Sequence, residues 1–471
     1  MRSIPQLQDY ALSPITGFLP SQPPISRLPQ KYYKPWETIM GSYNALLLAG
    51  RLRDVVDDLP ELGIHELRND TQRRRAFLIL SFLAHGYVWG EAQTSTFIPA
   101  SIAVPWDAVS RLLQVRPVCS HASVCLWNWT PLFESEPLSL SNLATQHTFT
   151  GSTDESWFYL VSTAMEARGA PTLPIILQCI GAARRESTAE VTYNLRALAI
   201  HLDDMAVALS RMHDKCDPYI FYHKIRPYLA GWKNMADAGL PNGLCYEGCE
   251  DTPDGLYRKY SGGSNAQSAL IHMLDIALGI EHKETADGHM ESISSLSPKN
   301  AFMEDMRNYM PANQRKFLEH LTEITNIREY CLSHRGDAVL SEAYDACLAM
   351  LKTFRDRHLS IVSRYIIIPA GNAKRASEDS NEKLAESKGL AKVKAKSQKE
   401  LKGTGGTNLM SFLKQSRDET TQMAISNWAK NLAANNYGEI DLAKADHRAF
   451  IGLAGSYGKE WDSVNGGVCG F

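Results

Sequence analysis

Residues 337–368 read DAVLSEAYDACLAMLKTFRDRHLSIVSRYIII, and this stretch decides the fold class. Tyr344, Cys347, Leu351 and Phe354, then His358, then Ile361, Val362 and Tyr365 follow largely at three- and four-residue steps. That repeat marks one face of an α-helix. A strand runs roughly 3–10 residues, so a pattern this long predicts a single long helix.

The same period continues on either side. Over residues 187–212, Val191, Leu195, Leu198, Leu202, Val207 and Met212 recur at helical spacing. Ser264-Asn-Ala-Gln267 fits a capping box ahead of an apolar face of Leu270, Met273, Leu274, Ala277 and Leu278. No sustained two-residue alternation and no strand–helix–strand punctuation appears. The expected class is mainly α. A large all-helical domain is expected over 116–415, with a smaller mixed or helical N-terminal domain over 1–115 and a C-terminal extension over 416–471. Residues 1–40, rich in Pro, Ser and Gln, read as a meandering arm. Residues 371–402 hold nine basic and five acidic residues and almost no large apolar ones, the composition of a flexible loop. Gly403-Thr-Gly-Gly-Thr407 then reads as a hinge before a short amphipathic helix at Leu409–Leu413, and a further helix is expected near Met423–Leu432.

Composition excludes several classes. The chain has 471 residues, 44% hydrophobic and 21% charged, with 49 Lys and Arg against 52 Asp and Glu. A net charge of −3 offers no electrostatic footprint for nucleic acid or an anionic membrane. The longest apolar runs, Phe77–Leu83 and Tyr365–Ala370, fall short of the roughly 18 residues of a membrane span. The first thirty residues lack the apolar core of a secretory signal. Nine cysteines, an odd count widely spread, fit reduced thiols in the cytoplasm. There is no Cys-x-x-Cys, no His-Glu-x-x-His and no Gly-x-Ser-x-Gly.

Two places hold candidate chemistry. His358 stands on the apolar stripe four residues after Phe354. A histidine facing an apolar cavity from the middle of a long helix can serve as an axial haem ligand. It can equally be a hydrogen-bonded core residue, the commoner outcome, and the pattern alone leaves both open. Arg355, one turn earlier, is placed to pair with a carboxylate. The second place is Phe221-Tyr-His-Lys-Ile-Arg226. Arg226 suits a planar carboxylate and Phe221 offers a stacking face. Five residues apart, they diverge on a continuous α-helix, so a break near Pro218 or Pro227 is needed to bring them to one cavity.

Further runs stand in a fixed order along residues 84–414. They are Tyr87-Val-Trp-Gly90, Ile102-Ala-Val-Pro105, Asn128-Trp129, Trp157-Phe-Tyr-Leu-Val-Ser162, Tyr228-Leu-Ala-Gly-Trp-Lys233 and Gly243-Leu-Cys-Tyr-Glu-Gly248. Gly262-Gly-Ser-Asn-Ala-Gln-Ser268, Met306-Arg-Asn-Tyr-Met-Pro311, Gly336-Asp-Ala338, Glu342-Ala-Tyr-Asp-Ala-Cys347, His358 and Lys402-Gly-Thr-Gly-Gly-Thr407 complete the set. With these runs the chain resembles the indoleamine 2,3-dioxygenases, haem enzymes of tryptophan catabolism.

The resemblance implies one haem b per chain, active as Fe(II), with His358 as the iron ligand. It implies Asp275 and Arg355 as a buried pair beneath the haem, and Gly263, Ser264 and Asn265 as a distal loop beside haem and substrate. Phe221 would pack on the indole, Arg226 would bind the carboxylate, and Ser162 would place a small hydroxyl above the haem. Phe158 and Tyr159 would be aromatic walls, and Thr404 would belong to a loop that closes over substrate. His121 stands where a Tyr often lines the pocket, Tyr222 replaces a second Phe, and Ala266 replaces a Gly; these departures bear on affinity and isomer selectivity. The implied reaction inserts O2 across the indole C2–C3 bond of L-tryptophan to give N-formyl-L-kynurenine, the first step of the kynurenine pathway. A cellular reductant, a monomeric cytoplasmic protein, and no nucleic-acid or membrane partner go with it. The alternative is a haem oxygen-binding protein or a low-activity paralogue on the same scaffold.

Overall fold

In the computed structural model, which describes residues 2–283, 301–379 and 409–425, the chain is built mainly of helices. Those that position the site are, in chain order, α1 (Asp70–Trp89), α2 (Ala100–Leu113), α3 (Thr153–Gly169), α4 (Thr172–Arg184) and α5 (Thr188–Ser210). They continue with α6 (Ala269–Ala277), α7 (Ala312–Ile324), α8 (Ala338–Val362), α9 (Ile368–Asp379) and α10 (Leu409–Gln422). The strands are short: β1 (Phe97–Ile98), β2 (Trp129–Pro131), β3 (Leu143–Thr145), β4 (Leu244–Tyr246) and β5 (Tyr257–Arg258). β1 runs parallel to β4, β4 antiparallel to β5, and β2 antiparallel to β3 with Trp129 opposite Thr145.

The 25-residue α8 is the axis of the large helical part. It starts at Asp337, whose carboxylate accepts from the Leu340 N–H at 3.0 Å, a standard N-cap. Its face of Leu340, Tyr344, Cys347, Leu351 and Phe354 is buried against α5, where Val191, Leu195, Leu198 and Leu202 are buried in turn. The Cys347 thiol donates to the Leu195 carbonyl at 3.0 Å across this seam. Each large apolar side chain buried here contributes roughly 1.5–3 kcal/mol. Val207 is an exception to the expected stripe and is half exposed. Five residues after Leu202, it is turned about 140° from it around the helix, and Met205 takes the inward place.

The capping box at Ser264–Gln267 forms, but on a 3-10 turn, and α6 starts afresh after Ser268. All five apolar residues expected on its face are buried. The N-terminal arm is irregular yet packed: Leu7, Leu12, Phe18 and Leu19 are buried, and the Tyr10 and Phe18 rings meet Phe317 of α7 at 5.6 and 6.0 Å. The expected boundary near residue 115 falls in the connector after α2.

Helix ends differ from the sequence reading at the C-terminal side. α8 gives way at Ser363 to a π-helical turn, Ser363–Ile367, and α9 continues the path to Asp379, inside the expected loop. The rest of that loop lies outside the described residues. α10 does not stop at Leu413 but runs to Gln422, through the expected 415/416 boundary, because its polar second half finds partners on other elements. Of the helix expected at 423–432, Met423–Ile425 are not helical and the remainder lies outside the described residues.

Candidate active site

Three π-helical turns border one cavity: Ala122–Leu126, Phe221–Ile225 and Ser363–Ile367. Such turns are rare and are frequently found at functional sites. In the second, the Arg226 N–H donates to the Phe221 carbonyl, an i→i+5 bond. That bond stacks two residues five apart on one side of the chain and answers the spacing problem in the sequence. The turn is entered from Asp217, whose carboxylate caps the Tyr219 and Ile220 N–H groups at 2.8 and 3.0 Å. It leaves through a 3-10 turn, Arg226–Leu229, that carries Pro227.

The cavity measures about 1140 Å³ counting its open mouth. His358, Ile361, Val362 and Tyr365 border it from α8 and the following turn. Phe158, Ser162, Phe221 and Arg226 border it from α3 and the 221–226 turn, and Gly263, Ser264, Asn265 and Ala266 from the distal loop. Phe158 and Ser162 are four residues apart and so share a face of α3. The Phe158 and Phe221 rings meet at 4.6 Å, and Phe221 meets Tyr365 edge-on at 5.8 Å. Arg226 is 2% exposed, with its guanidinium 5.4 Å from the Tyr222 ring. Burial lowers its pKa from the ordinary value.

His358 is partly uncovered because it faces the cavity. Burial, with Arg355 nearby, lowers its imidazole to about 4, which keeps a nitrogen lone pair available at neutral pH. A neutral imidazole on the wall of a mostly apolar cavity fits a ligand of haem iron. Asp275 and Arg355 form an ion pair at 2.5 Å that is largely shielded from water. Desolvation raises the Asp275 carboxyl, but Arg355 and His282 outweigh it and bring it down to about 2.

His121 also borders the cavity, 2% exposed. Its Nε2 lies 2.9 Å from Glu166 Oε1, which also accepts from the Ser268 hydroxyl at 2.6 Å. Burial opposes charge on this imidazole, yet the Cys125 sulfur and the Glu166 carboxylate outweigh it and hold the ring protonated. The distal loop is tied to the same place. Gln267 Oε1 accepts from the His121 N–H at 2.9 Å, and its Nε2 donates to the Gly262 carbonyl at 2.8 Å.

Tyr159 is a correction. It is fully buried, but its hydroxyl donates to Glu155 at 2.8 Å and it does not border the cavity. One residue after Phe158, it lies about 100° around α3. Thr404 lies outside the described residues. The sequence reading missed Glu166, His282, Phe302 and Phe412. The pair Phe302 and Phe412 borders the cavity with rings 4.9 Å apart. Glu166 had a signal: it continues the 158, 162 spacing along α3. The others had none, since their partners are distant in sequence.

Comparison with known proteins agrees with this geometry. Residues 6–423 match the family model described as indoleamine 2,3-dioxygenase. The chain is 41% identical over 447 residues to the indoleamine 2,3-dioxygenase of Saccharomyces cerevisiae, covering 92% of this chain and 96% of that one. It is 40% identical over 421 residues to indoleamine 2,3-dioxygenase nanC of Aspergillus nanangensis, covering 88% and 96%. It is 34% identical over 416 residues to 6-hydroxytryptophan 2,3-dioxygenase fscD of Fusarium equiseti, covering 88% and 97%.

Proposed function

The chain belongs to the indoleamine 2,3-dioxygenase family of haem-dependent oxidoreductases, and on that premise we propose that it inserts O2 across the indole C2–C3 bond of L-tryptophan, giving N-formyl-L-kynurenine. The observation that carries this reading is the π turn that brings Phe221 and Arg226 to the same cavity as His358. His358 would hold one haem b, which supplies the oxygen activation.

The chain's own residues bind, orient and exclude water. Arg226 takes the substrate carboxylate. A charge-assisted hydrogen bond contributes roughly 1.5–3 kcal/mol net, and a desolvated guanidinium attracts a carboxylate more strongly than one in water. Phe221 and Phe158 pack on the indole, about 0.5–1.5 kcal/mol beyond the area buried. Ser162 places a small hydroxyl on the same helix face. The Ser264 and Asn265 loop borders the same cavity. His121 pairs with Glu166 at 2.9 Å on the cavity wall, and the chain's part in the reaction is orientation and dryness.

Among the described residues no helix is long and apolar enough to cross a membrane, and the eight cysteines there form no disulfide. A cytoplasmic setting, O2 and a cellular reductant as further partners, and a monomer as the working unit go with the proposed activity.

The test is turnover of L-tryptophan in air by the haem-loaded protein with a reductant, following N-formylkynurenine. Product at an enzymatic rate is expected. Haem bound without product would overturn the dioxygenase reading and leave an oxygen binder. His358→Ala is expected to abolish the Soret band, and full haem retention in that variant would remove His358 as the ligand.

A further inference from the structure

α10 meets the cavity near its N-terminal end and a buried charge network in its second half. Phe412 and Leu413 border the cavity. Two turns later, Glu419 Oε2 lies 2.7 Å from His282 Nδ1, and Oε1 accepts from the Lys283 N–H at 2.9 Å. Gln415 braces the same carboxylate at 2.8 Å and donates to the Lys283 carbonyl at 2.8 Å.

The contacts close a ring. His282 Nε2 lies 3.0 Å from Asp275 Oδ2, and Asp275 Oδ1 accepts from Arg355 Nη2 at 2.5 Å. Arg355 Nη1 then donates back to α10, to the Ser416 carbonyl at 3.1 Å and to the Thr420 hydroxyl. Each His282 nitrogen faces a carboxylate oxygen, so both must carry a proton for both contacts to be hydrogen bonds. Desolvation opposes that charge, but Asp275 and Glu419 prevail and lift the imidazole to about 9.

We propose that His282 and Glu419 are positioning residues for the reaction: they hold α10 against the Asp275–Arg355 pair, so that Phe412 and Leu413 keep their wall of the cavity in place. The proposal rests on reading the cavity as the haem and substrate site. The far end of α10 has separate anchors. Arg328 donates to the Met423 carbonyl at 2.8 Å, and Asp345 accepts from the Ile425 N–H at 2.8 Å. Between them, Arg417 and Asp356 approach at 3.6 Å in a partly exposed pair of little worth. Loss of the ring therefore leaves α10 attached at its C-terminal end and loosened at the cavity end.

The test compares haem-loaded parent with Glu419→Gln, which keeps an acceptor for the Lys283 N–H but removes the charge. His282→Gln tests the same link should the first variant fold poorly. Three quantities are read: KM and kcat for L-tryptophan, the rate of haem loss to a scavenger, and amide exchange over residues 409–416. KM and haem loss are each expected to rise about tenfold, with kcat changing much less and exchange over 409–416 accelerating. The double variant should be no worse than either single one, since both break one link. A lowered Tm with unchanged KM, haem loss and exchange would reduce the pair to a structural role and overturn the proposal. If the parent itself binds haem without turning over tryptophan, the dioxygenase reading fails separately, while haem loss and exchange still decide the role of the ring.

Discussion

Phe221 and Arg226 stand five positions apart, and whether both serve one substrate depends on a single i→i+5 hydrogen bond. If Arg226 binds the carboxylate, Arg226→Ala should keep a normal Soret band and lower kcat/KM about 10- to 150-fold, the equivalent of roughly 1.5–3 kcal/mol. Steady-state kinetics checks this, and an unchanged kcat/KM would take Arg226 out of the site. His121 shows the same dependence on partners. Its position was legible, but its carboxylate partner was not, because Glu166 lies 45 residues away. Glu166→Ala leaves the His121 imidazole buried without its carboxylate. Losing one member of a buried ion pair costs about 3–5 kcal/mol, so chemical denaturation should show a loss of that order, with a smaller loss for Glu166→Gln.

At the scale of elements, the distal loop is set by a backbone crossing. A Cβ on Gly262 would sit 2.1 Å from the Leu229 carbonyl oxygen and 2.5 Å from the Gly231 nitrogen. These are backbone atoms that cannot swing aside, so glycine is required where the loop passes the segment carrying Arg226. Gly262→Ala should push the two apart, costing about 1–3 kcal/mol as overpacking and raising KM more than it lowers kcat. Thermal melts and kinetics together check it. His85 of α1 braces the same region. It accepts from the Cys119 N–H at 2.9 Å through Nε2, so Nδ1 carries the proton that bonds the Tyr228 carbonyl at 2.7 Å. One neutral ring thus joins the segment before His121 to the segment after Arg226.

Across the whole molecule, buried histidines set both limbs of the stability–pH curve. His85 and His147 are lowered to about 3 and His272 to about 4, chiefly by burial. A depressed folded pKa gives stability that is present above the unfolded value of 6.5 and lost as pH falls below it. By pH 4 the loss is on the order of 3 kcal/mol per group. His282 is the opposite case, raised to about 9 against desolvation by Asp275 and Glu419. Its contribution is complete below 6.5 and is lost as pH rises through about 9. Denaturant unfolding should therefore give a maximum near pH 6.5, falling on the acid side towards about pH 4 and on the alkaline side between about pH 6.5 and 9. His282→Gln should make the alkaline limb shallower, His121 still contributing to it, and leave the acid limb alone.

The sequence by itself determined that this is a mainly helical chain, that α5 and α8 bury the stripes they do, and that His358 sits on an apolar face. These depend on local spacing, and a 3.6-residue period is written in the residues that form it. The ordered runs also determined the family. Tertiary structure alone decided the three π turns, the outward turn of Tyr159 towards Glu155, the length of α10 and the ring through His282. A π turn differs from an α turn by one residue of hydrogen-bond register, which apolar spacing does not record. The charge on a buried imidazole depends on whichever carboxylate the fold brings beside it, and Glu419 reaches His282 across 137 residues of chain.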